Sequence, residues 1–310
     1  MPTRGRDGWR ERQAMDFDDD RVDTSQLEDQ RGGRGAGGKI ALGGGGAGVI
    51  GVVIYLLVTL LGGGDGTSAP VGGSGGGGTE AGASAAADLA ARCNASGAID
   101  QYDDCFVLKV FNEVNEVWTS YFQQHGQTYT RPTLVYFEQA VSTGCGQASS
   151  EVGPFYCPNG QRVYIDLGFL KQLQDQYGAQ GRYAQAYIVA HEVGHHIQTL
   201  TGTEERLRQA QQADPSQENA LSVQLELQAD CYAGVWSTLA DKAGNVTVGQ
   251  SDIDEALNAA EAVGDDRIEQ KAGVDVNPET WTHGSAQQRS TSFKTGASGA
   301  TLESCGTVPH

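Results

Sequence analysis

The run AYIVAHEVGHHIQTL, residues 186–200, concentrates side chains that could hold a metal ion. It contains three of the six histidines of the 310-residue chain, with a glutamate among them. Its apolar residues are spaced as in a buried helix. In such a helix His191 and His195 lie one turn apart on one face, so both imidazoles can reach one ion. Glu192 lies about 100° further around the helix, beside that ion. This HExxH spacing is typical of two zinc ligands and a general base.

A zinc ion that activates water needs a third protein ligand and one open position. The pattern with glycine at 198 and histidine at 201 is excluded, because the chain has Gln198 and Thr201 there. The run VQLELQADCYAGVW, residues 223–236, offers Glu226 and Asp230 four residues apart among apolar side chains. We predict that Glu226 is the third ligand of a single zinc ion. Asp230 would accept the second N–H of a zinc-bound histidine and fix its tautomer.

The elements that must position these residues are predicted to be mostly helical. The run CFVLKVFNEVNEVWTSYF, residues 105–122, repeats apolar residues every three or four positions, which predicts an amphipathic helix. The runs TLVYFEQ and RVYIDL alternate and are rich in β-branched and aromatic residues, so we expect strands. Early strands followed by helices indicate an α+β domain with a small antiparallel sheet. RVYIDL is the nearest candidate for an edge strand along which an extended peptide could lie. Further helices are expected near residues 168–177, 182–200, 217–241 and 251–263.

A stretch without charged residues, residues 40–64, is long enough to cross a bilayer as one helix. The 20 residues before it carry four basic side chains, whereas the next basic residue after it is Arg92. This asymmetry predicts that the N-terminus stays in the cytoplasm. The predicted organisation is a cytoplasmic polar tail (1–39), a transmembrane anchor (40–64), a Gly/Ala/Ser-rich linker (65–88) and an extracytoplasmic domain (89–310).

Charge and cysteine content fit a domain outside the cytoplasm. Beyond residue 39 the chain carries 13 basic and 30 acidic side chains, so it repels phosphate backbones and a nucleic-acid partner is not expected. All six cysteines lie beyond the predicted anchor, and an even number there indicates three disulfides. Six cysteines allow 15 pairings. Proximity favours Cys93–Cys105 and Cys145–Cys157, which leaves Cys231–Cys305. A cysteine metal cluster is disfavoured because no CxxC spacing occurs.

With both motifs placed, the sequence resembles the bacterial neutral zinc metallopeptidase family, a group of membrane-anchored peptidases within the wider gluzincin type. The resemblance covers nearly the whole chain and implies a zincin-like fold. By position it implies zinc on His191, His195 and Glu226, with Glu192 catalytic and a peptide or protein as substrate. It names no particular substrate. The matching runs are CGQASSEVGPFYCP, VYIDL, AYIVAHEVGHHIQ, ELQADCYAGVW and THGSAQQR.

A donor to the oxyanion is expected opposite the metal ion. His283, in WTHGSAQQR, is the first candidate, and the other interpretation is that it caps the following helix or lies at the surface. Tyr232 and Tyr164 are the alternatives. His196 is expected to pack or hydrogen-bond next to the site. Two other functions stay open, namely a membrane-tethered binding or scaffold protein with a structural zinc and an amidase acting on cell-wall peptides. Glu192 argues against the former, since a structural site has no use for a base.

Overall fold

The structure is a computed structural model that describes residues 15–18, 21–32, 87–299 and 301–306. The predicted membrane segment, residues 40–64, lies outside the described residues, as does most of the predicted linker. Within the described part of the chain, no helix is both long and apolar enough to cross a bilayer.

Helices dominate the described chain, which confirms the mostly helical α+β prediction. The helix expected near residues 168–177 divides into an α-helix and a π-helical stretch, Leu173–Tyr177. The helices whose bounds both lie within the described residues are α1 (Ala98–Gln101), α2 (Asp103–Gln124), α3 (Leu167–Gln172), α4 (Arg182–Leu200), α5 (Thr203–Ala213), α6 (Glu218–Ala243), α7 (Gln250–Ala262), α8 (Asp265–Ala272) and α9 (Ala286–Gly299). Apolar periodicity does not predict α5, because that helix buries only Thr203, Leu207 and Gln211.

Helix α4 lies among α2, α6 and α7. Fifteen of its 19 residues are buried, as the apolar flanks of its histidines predict. The approach of α4 to α6 is close at Gly194, where an added Cβ would lie 3.0 Å from the carbonyl oxygen of Ala229. A larger residue at position 194 would push the two metal-binding helices apart.

Helix α9 packs along α6 at two further glycines. A Cβ on Gly234 would overlap the backbone of Phe293, and one on Gly296 would overlap the carbonyl group of Cys231. Side chains at these two positions would therefore separate the helices. Their contact places the first turns of α9 next to the metal-binding region of α6.

The largest sheet is small and has four strands in the order β2-β3-β7-β6. Strands β2, β3 and β7 run parallel, and only β6 runs antiparallel to its neighbour. A hairpin of β4 and β5 and the pair β1-β8 complete the strands of the described chain. The strands are β1 (Asp16–Phe17), β2 (Leu27–Asp29), β3 (Thr133–Tyr136), β4 (Ala140–Thr143), β5 (Gly146–Ser149), β6 (Phe155–Cys157), β7 (Arg162–Ile165) and β8 (Val246–Thr247).

The expectation of an antiparallel sheet with RVYIDL at its edge is wrong. Between β3 and β7 the chain makes a long excursion through the β4-β5 hairpin, so β7 re-enters the sheet in the direction of β3. Only the short turn from β6 to β7 forces an antiparallel pair. Strand β7, which contains RVYI, consequently lies between β3 and β6, and β6 is the outer strand.

The N-terminal segments, residues 15–18 and 21–32, pack on the domain. Strand β1 pairs with β8, and β2 pairs with β3. The Arg31 guanidinium donates to Asp29 and to Asp104 of α2, and Val22 is buried. Strands on opposite sides of a membrane cannot pair. This packing therefore does not fit the predicted division into a cytoplasmic tail and a domain outside, and both segments belong to the domain.

All six cysteines form disulfides, and the pairing follows the proximity expectation. The bonds join Cys93 to Cys105, Cys145 to Cys157, and Cys231 to Cys305. None of the six thiols is free to bind a metal ion. The third bond ties the end of the described chain to α6, one residue after Asp230.

Candidate metal centre

The two histidines of HExxH point their Nε2 atoms at one place. In the buried helix α4 the Nε2 atoms of His191 and His195 are 3.2 Å apart. The Nδ1 atom of His191 lies 2.8 Å from Asp230 Oδ1, and that of His195 lies 2.9 Å from Gln198 Oε1. Both acceptors require a proton on Nδ1, so the neutral ring of each histidine, the form that binds a metal ion, offers its lone pair on Nε2.

The carboxylate of Glu226, from α6, completes the cluster. Its Oε2 atom is 3.2 Å from Nε2 of His191, and its Oε1 atom is 3.4 Å from Nε2 of His195. Ligand atoms about 2.0–2.1 Å from a tetrahedral zinc ion stand roughly 3.3–3.4 Å apart, so the observed separations fit zinc. Burial opposes ionisation of Glu226, but the neighbouring histidines outweigh it and lower its pKa.

Asp230 fixes His191 from behind and is itself held by a buried arginine. The Asp230 side chain is fully buried, and its Oδ1 atom accepts hydrogen bonds from Nδ1 of His191 and from the Tyr187 hydroxyl. The Arg289 guanidinium, from α9, donates to Oδ2 at 2.8 Å and to Oδ1 at 2.9 Å. Burial would raise the pKa of Asp230, but the charges of Arg289 and His191 outweigh it and lower that pKa.

Glu192 is not part of the ligand cluster. The three groups that converge are His191, His195 and Glu226. The side chain of Glu192 is buried and lines the cleft beside them. Burial raises the pKa of Glu192 above its ordinary value, against the charges of the two histidines, which lower it. A carboxylate with a raised pKa accepts a proton more readily near neutral pH.

Of the candidates for the oxyanion donor, the structure brings only His283 to the cleft. Its Nδ1 atom lies 3.2 Å from Oδ1 of Asp265, whose Oδ2 atom accepts the backbone N–H groups of Thr282, His283 and Gly284. These contacts hold the loop that carries His283. They involve Nδ1 of its ring and leave Nε2 outside the contact with Asp265. The two tyrosines lie elsewhere: Tyr164 stacks on Phe155 in the sheet, and Tyr232 packs in the core.

His196 has a structural role next to the site, as expected. It is fully buried, and its Nε2 atom donates to the carbonyl oxygen of Thr130 at 2.6 Å. Its Nδ1 atom then accepts the Tyr156 hydroxyl at 3.0 Å. Burial lowers the pKa of His196 to about 4, so the ring is neutral at physiological pH. It joins β6, the outer strand of the sheet, to the metal-binding helix.

Arg289 and Gln198 are site residues that reasoning from the sequence missed. Arg289 lies within the run THGSAQQR, which belongs to the family resemblance, but nothing in that run shows its partner 59 residues away. Gln198 had a local signal, since it follows His195 by three residues and lies on the same helix face. Its amide also donates to the carbonyl oxygen of Leu225, so it joins α4 to α6.

The cluster and Glu192 lie together in one cleft, which has a volume of about 250 Å³ and is also lined by β6 and His283. Two imidazoles and one carboxylate, on two helices of an α+β fold, are the donor set of a hydrolytic zinc site. The sequence model of the family described as "Putative neutral zinc metallopeptidase" matches residues 8–308. The chain belongs to this family, whose name implies zinc as the metal.

Two relatives illustrate the similarity. The Escherichia coli K12 protein named "Uncharacterized protein YpfJ" is 45% identical over 203 residues, which cover 65% of this chain and 70% of the relative. The Mycobacterium tuberculosis H37Rv protein named "Uncharacterized protein Rv2575" is 43% identical over 214 residues, covering 66% and 70%. No solved structure gives a significant match.

Proposed function

We propose that this protein is a zinc-dependent peptidase in which His191, His195 and Glu226 hold a single zinc ion and Glu192 is the general base. The observation that carries the proposal is the convergence of three lone-pair donors at 3.2–3.4 Å in a buried site. Both Nδ1 atoms are occupied by hydrogen bonds. Two neutral imidazoles and one carboxylate that face a common point are the donor set that a zinc ion requires.

When bound, zinc would polarise the peptide carbonyl and acidify a water molecule. Glu192 lies beside the cluster in the same cleft and would take a proton from the attacking water. The same carboxyl group would then pass the proton to the leaving amine. His283, held by Asp265, would donate a hydrogen bond to the oxygen of the carbonyl under attack. Asp230 and Arg289 would keep His191 in the tautomer that offers Nε2.

The outer strand β6 is the proposed docking edge for an extended substrate. Phe155 and Tyr156 line the cleft, and one edge of β6 has no strand partner within the described chain. A peptide that pairs with this edge would pass in front of Glu192. The hydrogen bond of Tyr156 to His196 fixes the strand against α4.

We further propose that the domain works outside the cytoplasm. The three disulfides support an oxidising compartment. A single membrane span at residues 40–64 would place residues 15–32 on the other side of the membrane from the cleft, so the single-pass anchor expected from the sequence is not part of this proposal. Because β1 and β2 pair with the domain, residues 15–32 belong in the same compartment as the cleft.

The test measures zinc content and hydrolysis of a peptide library by the full chain and by Glu192→Gln. The variant should keep zinc and its fold but hydrolyse peptides several orders of magnitude more slowly, because it cannot accept the proton. Glu205→Gln, on an exposed face of α5, is the matched control and should behave as the wild type. Loss of zinc from Glu192→Gln would make Glu192 a ligand. Zinc without any hydrolysis in the wild type would favour a structural metal site.

A further inference from the structure

The cleft runs along α4 and has two unlike ends. Its lining includes Ile188 before the metal ligands and Gln198 after them. Ten residues of helix separate these two side chains, which is about 15 Å. The Gln198 end contains the polar side chains of Gln198 and Glu204, together with Leu225. The lining also contains apolar side chains from several elements, which we group with Ile188.

We call this group of side chains the apolar end. From α3 and the π-helical stretch, three residues spaced four apart present one face to the cleft. The π-helical stretch leads into α4 through only four residues, so this wall lies beside the start of that helix. The opposite wall comes from the end of α7 and from α8. The apolar end consists of Phe169, Leu173, Tyr177, Ile188, Val263 and Ile268.

Contacts between elements hold these walls in place. The Lys271 ammonium of α8 lies over the Tyr177 ring, 4.0 Å from its centre, so the two walls meet at this contact. The carbonyl oxygen of Val263 accepts a hydrogen bond from Arg289, which also donates to the Tyr187 hydroxyl beside Ile188. The apolar end is therefore joined to the same network that positions His191.

The chemistry of this end decides what it can bind. All six side chains are apolar or aromatic, so they favour an apolar group, and a polar group placed against them would lose hydration. Phe169, Tyr177, Val263 and Ile268 are only partly buried, which leaves apolar surface for a ligand to cover. The cleft volume of about 250 Å³ is below the range of roughly 300–1,000 Å³ typical of small-molecule pockets. It suits one large side chain and its adjoining backbone.

We propose that the apolar end is the specificity subsite, and that the protein cleaves peptides next to a large apolar residue such as Phe, Leu or Met. This inference rests on the proposed peptidase function, since it places the bound side chain by reference to Glu192. Ile188 is one helical turn before Glu192 on α4 and lies on the same face. A side chain in the apolar end therefore belongs to a residue that adjoins the cleaved bond.

The test is binding of two blocked, fluorescein-labelled hexapeptides to the zinc-loaded full chain carrying Glu192→Gln. One peptide has Phe at its third position and alanine elsewhere, and the other has Ser in place of Phe. The Phe peptide should bind at least about 10-fold more tightly by fluorescence anisotropy, because a buried aromatic side chain is transferred out of water. Equal binding of the two peptides would overturn the proposal.

A variant that fills the subsite tests its location. Adding Ile268→Trp should reduce the preference for Phe to less than about 3-fold, because the indole occupies the space. Val274→Trp, at a position 52% exposed and outside the cleft, is the matched control and should leave the preference unchanged. If Ile268→Trp does not fold, Ile268→Ala enlarges the same wall and should shift the preference towards Trp over Phe. An unchanged preference in a folded Ile268 variant would place the subsite elsewhere.

Cleavage of a peptide library by the wild-type protein separates this inference from the proposed function. Cleavage sites should be enriched at least about 10-fold in large apolar residues next to the broken bond. Cleavage without such enrichment would refute the subsite and leave the peptidase intact. Absence of cleavage, together with tighter binding of the Phe peptide, would refute the peptidase and leave an apolar binding site.

Discussion

Replacing Arg289 by Met should destabilise the protein strongly, because the substitution leaves a fully buried carboxylate without its cation. Asp230 is 0% exposed and accepts two hydrogen bonds from the guanidinium, at 2.8 and 2.9 Å. Removal of one partner of such a buried pair costs about 3–5 kcal/mol. Asp230 keeps its hydrogen bonds to Tyr187 and His191, so we expect a loss of about 3 kcal/mol in the free energy of unfolding. Domains of this kind are stable by only about 5–15 kcal/mol.

A double-mutant cycle shows whether the loss comes from the pair. The change Asp230→Asn removes the charge that Arg289 neutralises, so Arg289→Met should cost less in that background. We expect an interaction free energy of at least about 1.5 kcal/mol between the two substitutions. Arg208→Met is the control, since Arg208 forms an exposed ion pair on α5, and it should leave stability nearly unchanged.

The assay is denaturant unfolding followed by tryptophan fluorescence, with the disulfides intact and a chelator present, so that zinc does not contribute. A parallel zinc titration should show weaker binding in Asp230→Asn, by about 10–100-fold, since Asp230 orients His191. Additive costs in the cycle, or an Arg289→Met protein as stable as the wild type, would refute the assignment of Arg289 as the partner of Asp230.

Three further predictions concern other parts of the molecule. The change His283→Ala should lower kcat by about 10²–10³-fold with zinc content unchanged. A near-normal kcat would remove His283 from the mechanism, and loss of zinc would make it a ligand. A cysteine at exposed position 25 (Ser25→Cys) should react with a membrane-impermeant maleimide in intact cells, because residues 15–32 share the proposed outside compartment of the domain. Protection until lysis would contradict the outside location of these residues. The disulfide of Cys305 closes a loop of 74 residues and that of Cys105 a loop of 12. Cys305→Ser should therefore lower the free energy of unfolding by about 4 kcal/mol and Cys105→Ser by about 3 kcal/mol. The reverse order in thermal unfolding would refute the loop-length argument.

Features that depend on nearby residues could be predicted from the sequence. The helices α2, α4, α6 and α7 follow from apolar spacing, because each buries a face against the core. The four-residue spacings within HExxH and between Glu226 and Asp230 place those side chains on common helix faces. Two disulfides follow from a sequence separation of 12 residues, and the third follows from elimination.

Features that depend on contacts between distant residues could not be predicted from the sequence. The parallel direction of β7 is set by the excursion between β3 and β7, whose path no short motif reveals. Strand β1 pairs with β8 across more than 200 residues, so neither strand shows its partner in its own sequence. The hydrogen bonds between Arg289 and Asp230 could not be predicted for the same reason, because they depend on the close packing of α9 on α6 at Gly234 and Gly296.

The most direct test of the central claim is to titrate zinc into the metal-free full chain while measuring peptide hydrolysis. The cluster of His191, His195 and Glu226 holds one ion, and Glu192 requires that ion beside it. Activity should therefore rise in proportion to bound zinc and reach its plateau at one zinc per chain. Hydrolysis that persists without zinc, or a chain that binds one zinc and hydrolyses no peptide, would contradict the account.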